Sequence, residues 1–361
     1  MESQRKLKRS PGGKHKTRKD RRHCRTVPLP GDNTDHNREI NMKDRYGRKI
    51  EYMRVSITDR CNLRCKYCMP DGCDKVSHND ILSYEDMERI CAAASRIGIT
   101  KFKVTGGEPL VRVGCPDFVK RLKDIPGTEQ VTLTTNGVEL ERYMDDLVAA
   151  GLDAVNISLD TMDPDRFRYI TGGGSLERTM SGIDAAVKSG IRTKINCLIQ
   201  KDFNEDETDR FAELAFGKGI DVRFIEMMPI GAGNPDLGVA NRQILMKLRT
   251  RWPELEPDES VHGNGPAVYF RHPEKSGSIG FISAMHGVFC SSCNRIRLTS
   301  QGLVKPCLCY EDSVDLKPVL SGTIEEIQEK LTEAVLMKPG QHCFNNAPKR
   351  SERRMMSQIG G

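Results

Sequence analysis

The sequence predicts an α/β protein whose main body is a parallel sheet wrapped by helices, and three observations carry that prediction. Short β-rich runs alternate with helical patterns from residue 50 onward. A glycine recurs where a helix ends and the next strand begins, at Gly98, Gly151, Gly190 and Gly219. The alternation stops beyond Pro229, where residues 231–238 are rich in Gly, Pro and Asn. Alternating βα units imply parallel strands with right-handed crossovers, either doubly wound or closed into a whole or partial barrel. In both cases functional groups are expected at the strands' C-terminal ends.

Taken in order, the first strand is read over residues 52–57. Ser83 and Asp86 form a near capping box for a helix that runs to Gly98, and residues 99–105 make the second strand. Residues 131–135, 152–159, 191–199 and 220–226 supply four more. The remaining chain mixes a helix near 242–250, strand-like pieces at 267–270, 278–282 and 295–299, and a late helix near 323–336. Residues 46–230 are therefore read as one domain and 231–361 as a second, of α+β type.

N-terminal to both domains lies a leader, residues 1–45. Residues 1–25 hold eleven Lys or Arg against Glu2 and Asp20, so a chain of net charge +6 is net −3 beyond them. With almost no apolar residues the leader cannot offset its chain entropy and is expected to be disordered. It lacks aromatic residues for base stacking, so no specific nucleic acid is expected as partner. No apolar run suits a membrane span or a secretory signal, and the expectation is a cytoplasmic protein without a membrane partner, monomeric or homodimeric. In such a chain of 361 residues, thirteen cysteines are read as metal ligands or reduced thiols rather than disulfides.

Cys61, Cys65 and Cys68 come after the first strand at C-x3-C-x2-C spacing. Three closely set thiolates suit an iron-sulfur cube better than tetrahedral zinc, and three ligands leave one iron open to chelate a small molecule. Thr105-Gly106-Gly107-Glu108-Pro109 comes after the second strand, where residues without side chains let backbone approach an amino-acid-like ligand. A second group, Cys290-Ser-Ser-Cys293 with Cys307 and Cys309, reads either as a zinc ribbon using all four sulfurs or as a three-ligand cluster. Arg295 and Arg297, at alternate positions on a strand beside these thiols, favour a cluster facing an anionic substrate.

The segments SITDRCNLRCKYCMP, KVTGGEP, TTNG, NISLD, KIN, RFIEMMP, FCSSCNRIRLT and KPC, with a terminal Gly360-Gly361, resemble the GTP 3′,8-cyclase family. These are radical S-adenosylmethionine (SAM) enzymes of molybdenum cofactor biosynthesis. The resemblance spans roughly residues 46–361 and implies a partial (βα)6 TIM-like radical SAM barrel with a C-terminal α+β domain carrying a second cluster. It implies two 4Fe-4S clusters, one on Cys61, Cys65 and Cys68, the other on Cys290, Cys293 and Cys307, with Cys309 left over. SAM would lie against Tyr67, Gly107, Ser158 and Met228. GTP would meet Arg54, Lys103, Thr134, Lys194, Arg295, the backbone of Ile296, and Arg297. Lys103 stands where some relatives have arginine, turning a bidentate contact into a point charge. Gly360 and Gly361 would thread into the active site and act in catalysis with Arg295 and Arg297.

The implied reaction converts GTP to (8S)-3′,8-cyclo-7,8-dihydroguanosine 5′-triphosphate, with an external electron donor and a downstream cyclic pyranopterin monophosphate synthase as partners. Two other readings stand beside it: a radical SAM peptide maturase with an auxiliary cluster, and a zinc-dependent nucleic-acid binding protein. The first would not need the Arg295 and Arg297 pair; the second would carry zinc and no labile sulfide.

Overall fold

The computed structural model describes residues 42–72, 77–287, 289–346 and 352–360. The expected disorder of the leader falls almost wholly outside them, as do Cys24, Cys73 and Gly361.

Six strands, β1 (Tyr52–Ser56), β2 (Lys101–Thr105), β3 (Gln130–Thr135), β4 (Ala154–Ser158), β5 (Arg192–Leu198) and β6 (Asp221–Ile225), lie side by side and parallel in chain order. Helices fill the crossovers: α1 (Tyr84–Arg96), α2 (Cys115–Asp124), α3 (Leu140–Ala149), α4 (Pro164–Thr171), α5 (Leu176–Lys188) and α6 (Thr208–Lys218). The Ser83 hydroxyl accepts from the Asp86 N–H and the Asp86 carboxylate returns the bond, which fixes the start of α1. Gly98, at φ 92°, supplies the left-handed residue that ends it.

The later chain does not build a separate sheet. After α7 (Asn241–Arg251), β7 (Glu256–Asp258), β8 (Val268–Arg271) and β9 (Ser278–Ile282) extend the β6 edge, with β9 parallel to β6. On the other edge β10 (Arg295–Leu298) pairs parallel to β1, and β11 (Leu303–Lys305) and β12 (Val314–Asp315) continue antiparallel. α8 (Ile324–Leu336), capped by Thr323 and Glu326, packs on α1. The result is one twelve-stranded sheet in the order β12-β11-β10-β1-β2-β3-β4-β5-β6-β9-β8-β7.

Because side chains alternate across a strand, each strand presents two chemically different faces. One face carries Met53, Val55, Phe102, Leu133, Ile195 and Phe224, buried in the continuous core with the helices. Each large side chain of this kind contributes roughly 1.5–3 kcal/mol on burial. The opposite face carries Arg54, Lys103, Thr134, Asn156, Lys194, Arg223 and Arg297, polar in every strand from β10 to β6. A core-forming sheet has no use for such a row, so the polar face is the place to look for a ligand. No helix among the described residues is long and apolar enough to cross a membrane.

Candidate active site

A cavity of about 340 Å3 opens on that polar face, within the range of small-molecule sites. Cys61, Cys65, Cys68, Cys290, Cys293 and Cys307 all line it, as do Arg54, Thr134, Ser158, Met228, Arg295 and Arg297. Both cysteine triplets therefore face one space.

The first triplet sits in the loop leaving β1. The Gly107 N–H donates to the Thr58 carbonyl at 2.7 Å and the Glu108 N–H to the Arg60 carbonyl at 2.8 Å, so the Gly-Gly turn after β2 is laid directly against the cysteine loop. A Cβ on Gly107 would stand 2.5 Å from the Arg60 oxygen and 2.6 Å from that of Asp59. The glycines thus serve first to dock the loop, beyond any approach to a ligand. Gly107→Ala is expected to cost about 1–3 kcal/mol, because the obstructing atoms are backbone. A melting temperature unchanged from the parent protein would refute this.

Tyr67 donates its phenolic proton to Asp160 Oδ2 at 2.6 Å, and Asp160 Oδ1 accepts from the Leu198 N–H at 2.9 Å. Burial lifts the Asp160 carboxyl to about 6 despite these bonds, and burial beside Asp160 pushes the Tyr67 hydroxyl well above its ordinary value. Tyr67 is thereby locked between the loop and the end of β4.

The cations of the polar face converge. In register, Arg297 stands beside Arg54 and Arg54 beside Lys103, while Asn156 stands beside Lys194 and Asn196 beside Arg223. Burial, with Arg223, Arg54, Lys194 and Arg295 nearby, drives the Lys103 ammonium well below its ordinary value. Burial with Arg54 and Arg295 brings Arg297 to about 9. Lys194 is paired with Asp221 at 2.9 Å and is lowered to about 8, burial outweighing that pairing. Among the described residues no carboxylate pairs with Arg54, Lys103, Arg223, Arg295 or Arg297. The Nε atoms of Arg54, Arg223 and Arg295 are buried without a hydrogen-bond partner. Such a cluster repels itself and leaves donors unsatisfied until an anion with several negative oxygens arrives.

The second triplet lies at the other end of the strands. Cys290 and Cys293 precede β10, whose first residue Arg295 is level with Tyr52 at the start of β1, and Cys307 comes just after the antiparallel β11. The expectation that functional groups gather at strand C-termini thus describes only the first triplet, because β10 enters the sheet next to β1 with its cysteines ahead of it. Lys338 ties the turn together, donating to the carbonyls of Arg295 and Pro306 at 2.8 Å each. Nearby Lys338 and Arg295 pull the Cys293 thiol below its ordinary value against the effect of burial. Arg48 donates to the Cys290 carbonyl at 2.8 Å. Cys309 is buried away from the cavity, its Sγ 3.1 Å from that of Cys343.

The donor set fits clusters rather than single ions. Among the described residues no three His, Cys, Asp or Glu side chains close on a point that one metal ion would fill. Within each triplet the thiols lie close enough to act on one another's charge, Cys61 and Cys68 on Cys65 and Cys293 and Cys307 on Cys290, and all six line the cavity. Leu63 N–H and Asn136 Nδ2 point at Cys61 Sγ, at 3.4 and 3.8 Å, as donors that would stabilise sulfur carrying charge.

Of the residues singled out from sequence, Lys103, Lys194, Ile296 and Gly360 do not line the cavity; the two lysines lie in the cation row of the polar face, and Ile296 is fully buried in β10 on the core face. Gly360 lies against Thr105 and Ser56, and Arg297 donates to its carbonyl at 3.2 Å. Arg223, Asp160, Lys338 and Arg48 join the site without having stood out in the sequence. Arg223 had a signal there, a cation flanked by Val222 and Phe224 on a strand, while the others depend on contacts across long stretches of chain.

Residues 55–215 match the radical SAM superfamily, and residues 220–344 match the family described as Molybdenum Cofactor Synthesis C. The chain is 42% identical over 323 residues to a GTP 3′,8-cyclase of Clostridium perfringens (strain SM101 / Type A), covering 89% of this chain and 100% of that protein. It is 44% identical over 327 residues to one of Geobacter sulfurreducens, with 89% and 100% covered. The fold is similar to a crystal structure of Streptococcus suis SuiB bound to S-adenosylmethionine, with TM-score 0.59 and 14% identity over 86% of this chain and 77% of that one. It is similar also to a histidine-tagged anSMEcpe with bound AdoMet, with TM-score 0.52 and 17% identity over 78% of each chain. Radical SAM membership brings SAM and a 4Fe-4S cluster as cofactors. With curated relatives matched over their whole length, a cavity joining two cysteine triplets and a cation row between them, the chain belongs to the GTP 3′,8-cyclase family.

Proposed function

We propose that this protein cyclises GTP to 3′,8-cyclo-7,8-dihydro-GTP, the first step of molybdenum cofactor biosynthesis, and that the single cavity lined by both triplets is where it does so. The observation that carries this reading is the row of buried and half-buried cations between the triplets, three of them with Nε atoms that are buried and unpartnered. Cys61, Cys65 and Cys68 hold the first 4Fe-4S cluster, and Cys290, Cys293 and Cys307 a second. When bound, the first cluster and SAM supply a one-electron cleavage that yields a radical able to take hydrogen from a ribose carbon.

The chain's own residues bind, orient and exclude water. Gly107, Ser158, Met228 and the Tyr67–Asp160 pair form the wall against which SAM is held near the first triplet. Arg54, Lys103, Lys194, Arg223, Arg295 and Arg297 neutralise the triphosphate, with Thr134 as a hydroxyl contact. Fixing the phosphates on rigid strands sets the ribose between the two ends of the cavity, which is where orientation lowers the barrier. Residues 46–230 serve SAM and supply most of the cation row for GTP, and residues 231–361 serve the second cluster and add Arg295 and Arg297 to that row. An external electron donor supplies reducing equivalents, and a downstream synthase takes the cyclised product.

Lys194 gives this reading a pH signature. Its charged form adds to the positive field behind the cavity without touching the phosphates, so GTP affinity is expected to fall as pH rises through about 8 in the ligand-free protein, with proton uptake on binding above that pH. In stability the sign is opposite. A lysine lowered by folding adds stability as pH climbs from about 8 toward its unfolded value near 10.5. Calorimetric GTP binding at pH 7 and pH 9, compared in Lys194→Met, checks the first, and thermal melting of the ligand-free protein at the same two pH values checks the second; equal affinities at the two pH values would remove Lys194 from the site.

The reading as a whole is tested with reconstituted protein, SAM, a reductant and GTP deuterated at the ribose 3′ carbon. Deuterium in 5′-deoxyadenosine together with a cyclised GTP product is the expected result. Deoxyadenosine without deuterium would move the substrate elsewhere.

A further inference from the structure

Residues 352–360 are held by two cations that face each other across one strand pair. In the β10–β11 ladder Arg297 stands opposite Lys305, on the same face of the sheet. Arg297 donates to the carbonyls of Gly360 and Ile359 at 3.2 and 3.5 Å. Lys305 forms an ion pair with Glu352 and donates to the Tyr310 carbonyl at 2.7 Å. One rung of the ladder therefore grips both ends of this stretch.

The Lys305–Glu352 pair is unusual in its burial, with side chains 0% and 1% exposed. Taking two ions out of water costs about as much as their attraction returns, so such a pair is a weak source of stability. What it supplies is register. An ammonium sealed inside the protein is tolerable only when a carboxylate reaches it, and a tail shifted by one residue leaves Lys305 without one, while Glu352 keeps only Arg354, 4.0 Å away within the tail itself. Between the grips, Ile359 packs with Ile230, Cys309, Cys343 and Phe344, and Met355 lies against Gly231, where a Cβ would meet its Sδ at 2.9 Å. Apolar contacts of this kind tolerate sliding; the ion pair does not.

We propose that the buried Lys305–Glu352 pair is the anchor that sets the register of the C-terminal tail, so that Gly360 reaches Arg297 at the cavity. Lys305 and Glu352 act as positioning residues, and their bearing on the reaction rests on the proposed cyclisation of GTP.

The test uses the reconstituted full chain carrying Glu352→Gln, which keeps the shape and removes the charge, and separately Lys305→Met. Iron and sulfide content stay at the parent level. Trypsin releases the C-terminal peptide about tenfold faster or more, and cyclised product per deoxyadenosine falls about tenfold or more while deoxyadenosine still forms. The exchanged pair Lys305→Glu with Glu352→Lys recovers part of the product ratio. In a chain ending at Ile359, Glu352→Gln lowers the ratio no further, because the anchor acts through the tail. The proposal is overturned if Glu352→Gln leaves tail release and product ratio unchanged, or if it lowers the ratio further in the shortened chain, which would mark a general structural role. Failure of the cyclisation reading shows differently: the parent protein yields no GTP-derived product, while the difference in tail release persists.

Discussion

Cys65→Ser is expected to lose all deoxyadenosine formation while the protein stays folded. Cys65 is the middle ligand of a loop whose backbone is already fixed by Thr58, Arg60 and the Gly106-Gly107 turn, so the loop survives the change and the cluster does not. The hydroxyl is a harder, weaker ligand for iron than a thiolate. Iron analysis should show the loss of about one cluster with the second retained. Cys309→Ser is the control, since Cys309 faces Cys343 and not the cavity, and both clusters should persist there. SAM cleavage at parent rates in Cys65→Ser would overturn the ligand assignment.

The second large effect has two opposite signs in one variant. Arg295→Ala should weaken GTP binding by about 1.5–3 kcal/mol, the worth of a hydrogen bond to a charged group, which is roughly 10- to 150-fold in Kd. It should also raise the melting temperature of ligand-free protein, because it removes one charge from a cluster that repels itself and an Nε that is buried without a partner. A residue kept for stability would show the reverse on heating. Unchanged GTP affinity would take Arg295 out of the site.

The fold and the site were legible in the sequence to different depths. β1 to β6 announced themselves because each is long enough for apolar periodicity and is flanked by a helix and a glycine. β7, β11 and β12, of two or three residues, carry no periodicity at all, and their joining the same sheet depends on pairing with strands far along the chain. The first cysteine triplet stood out by its spacing, whereas the second needed the neighbouring Arg295 and Arg297 and the family resemblance to separate Cys290, Cys293 and Cys307 from Cys309. Arg223 was readable from its place between two core residues, as Arg297 is between Ile296 and Leu298. Asp160, Lys338, Arg48 and Glu352 were not, because each acquires its function from a partner dozens to hundreds of residues away: Tyr67, Arg295, Cys290 and Lys305.

The pairing of β10 with β1 sets a timetable for synthesis. Met53 is level with Ile296, so one edge of β1 has no partner until almost the whole chain has emerged. At ordinary translation speeds of about 5–20 residues per second that wait is roughly 10–50 s. Throughout it the nascent barrel presents an open strand edge of the kind that invites pairing with other chains. A messenger truncated before residue 295 would lose more than the second triplet: it would leave that edge bare for good, and its product should accumulate as aggregates rather than as a crippled but soluble enzyme.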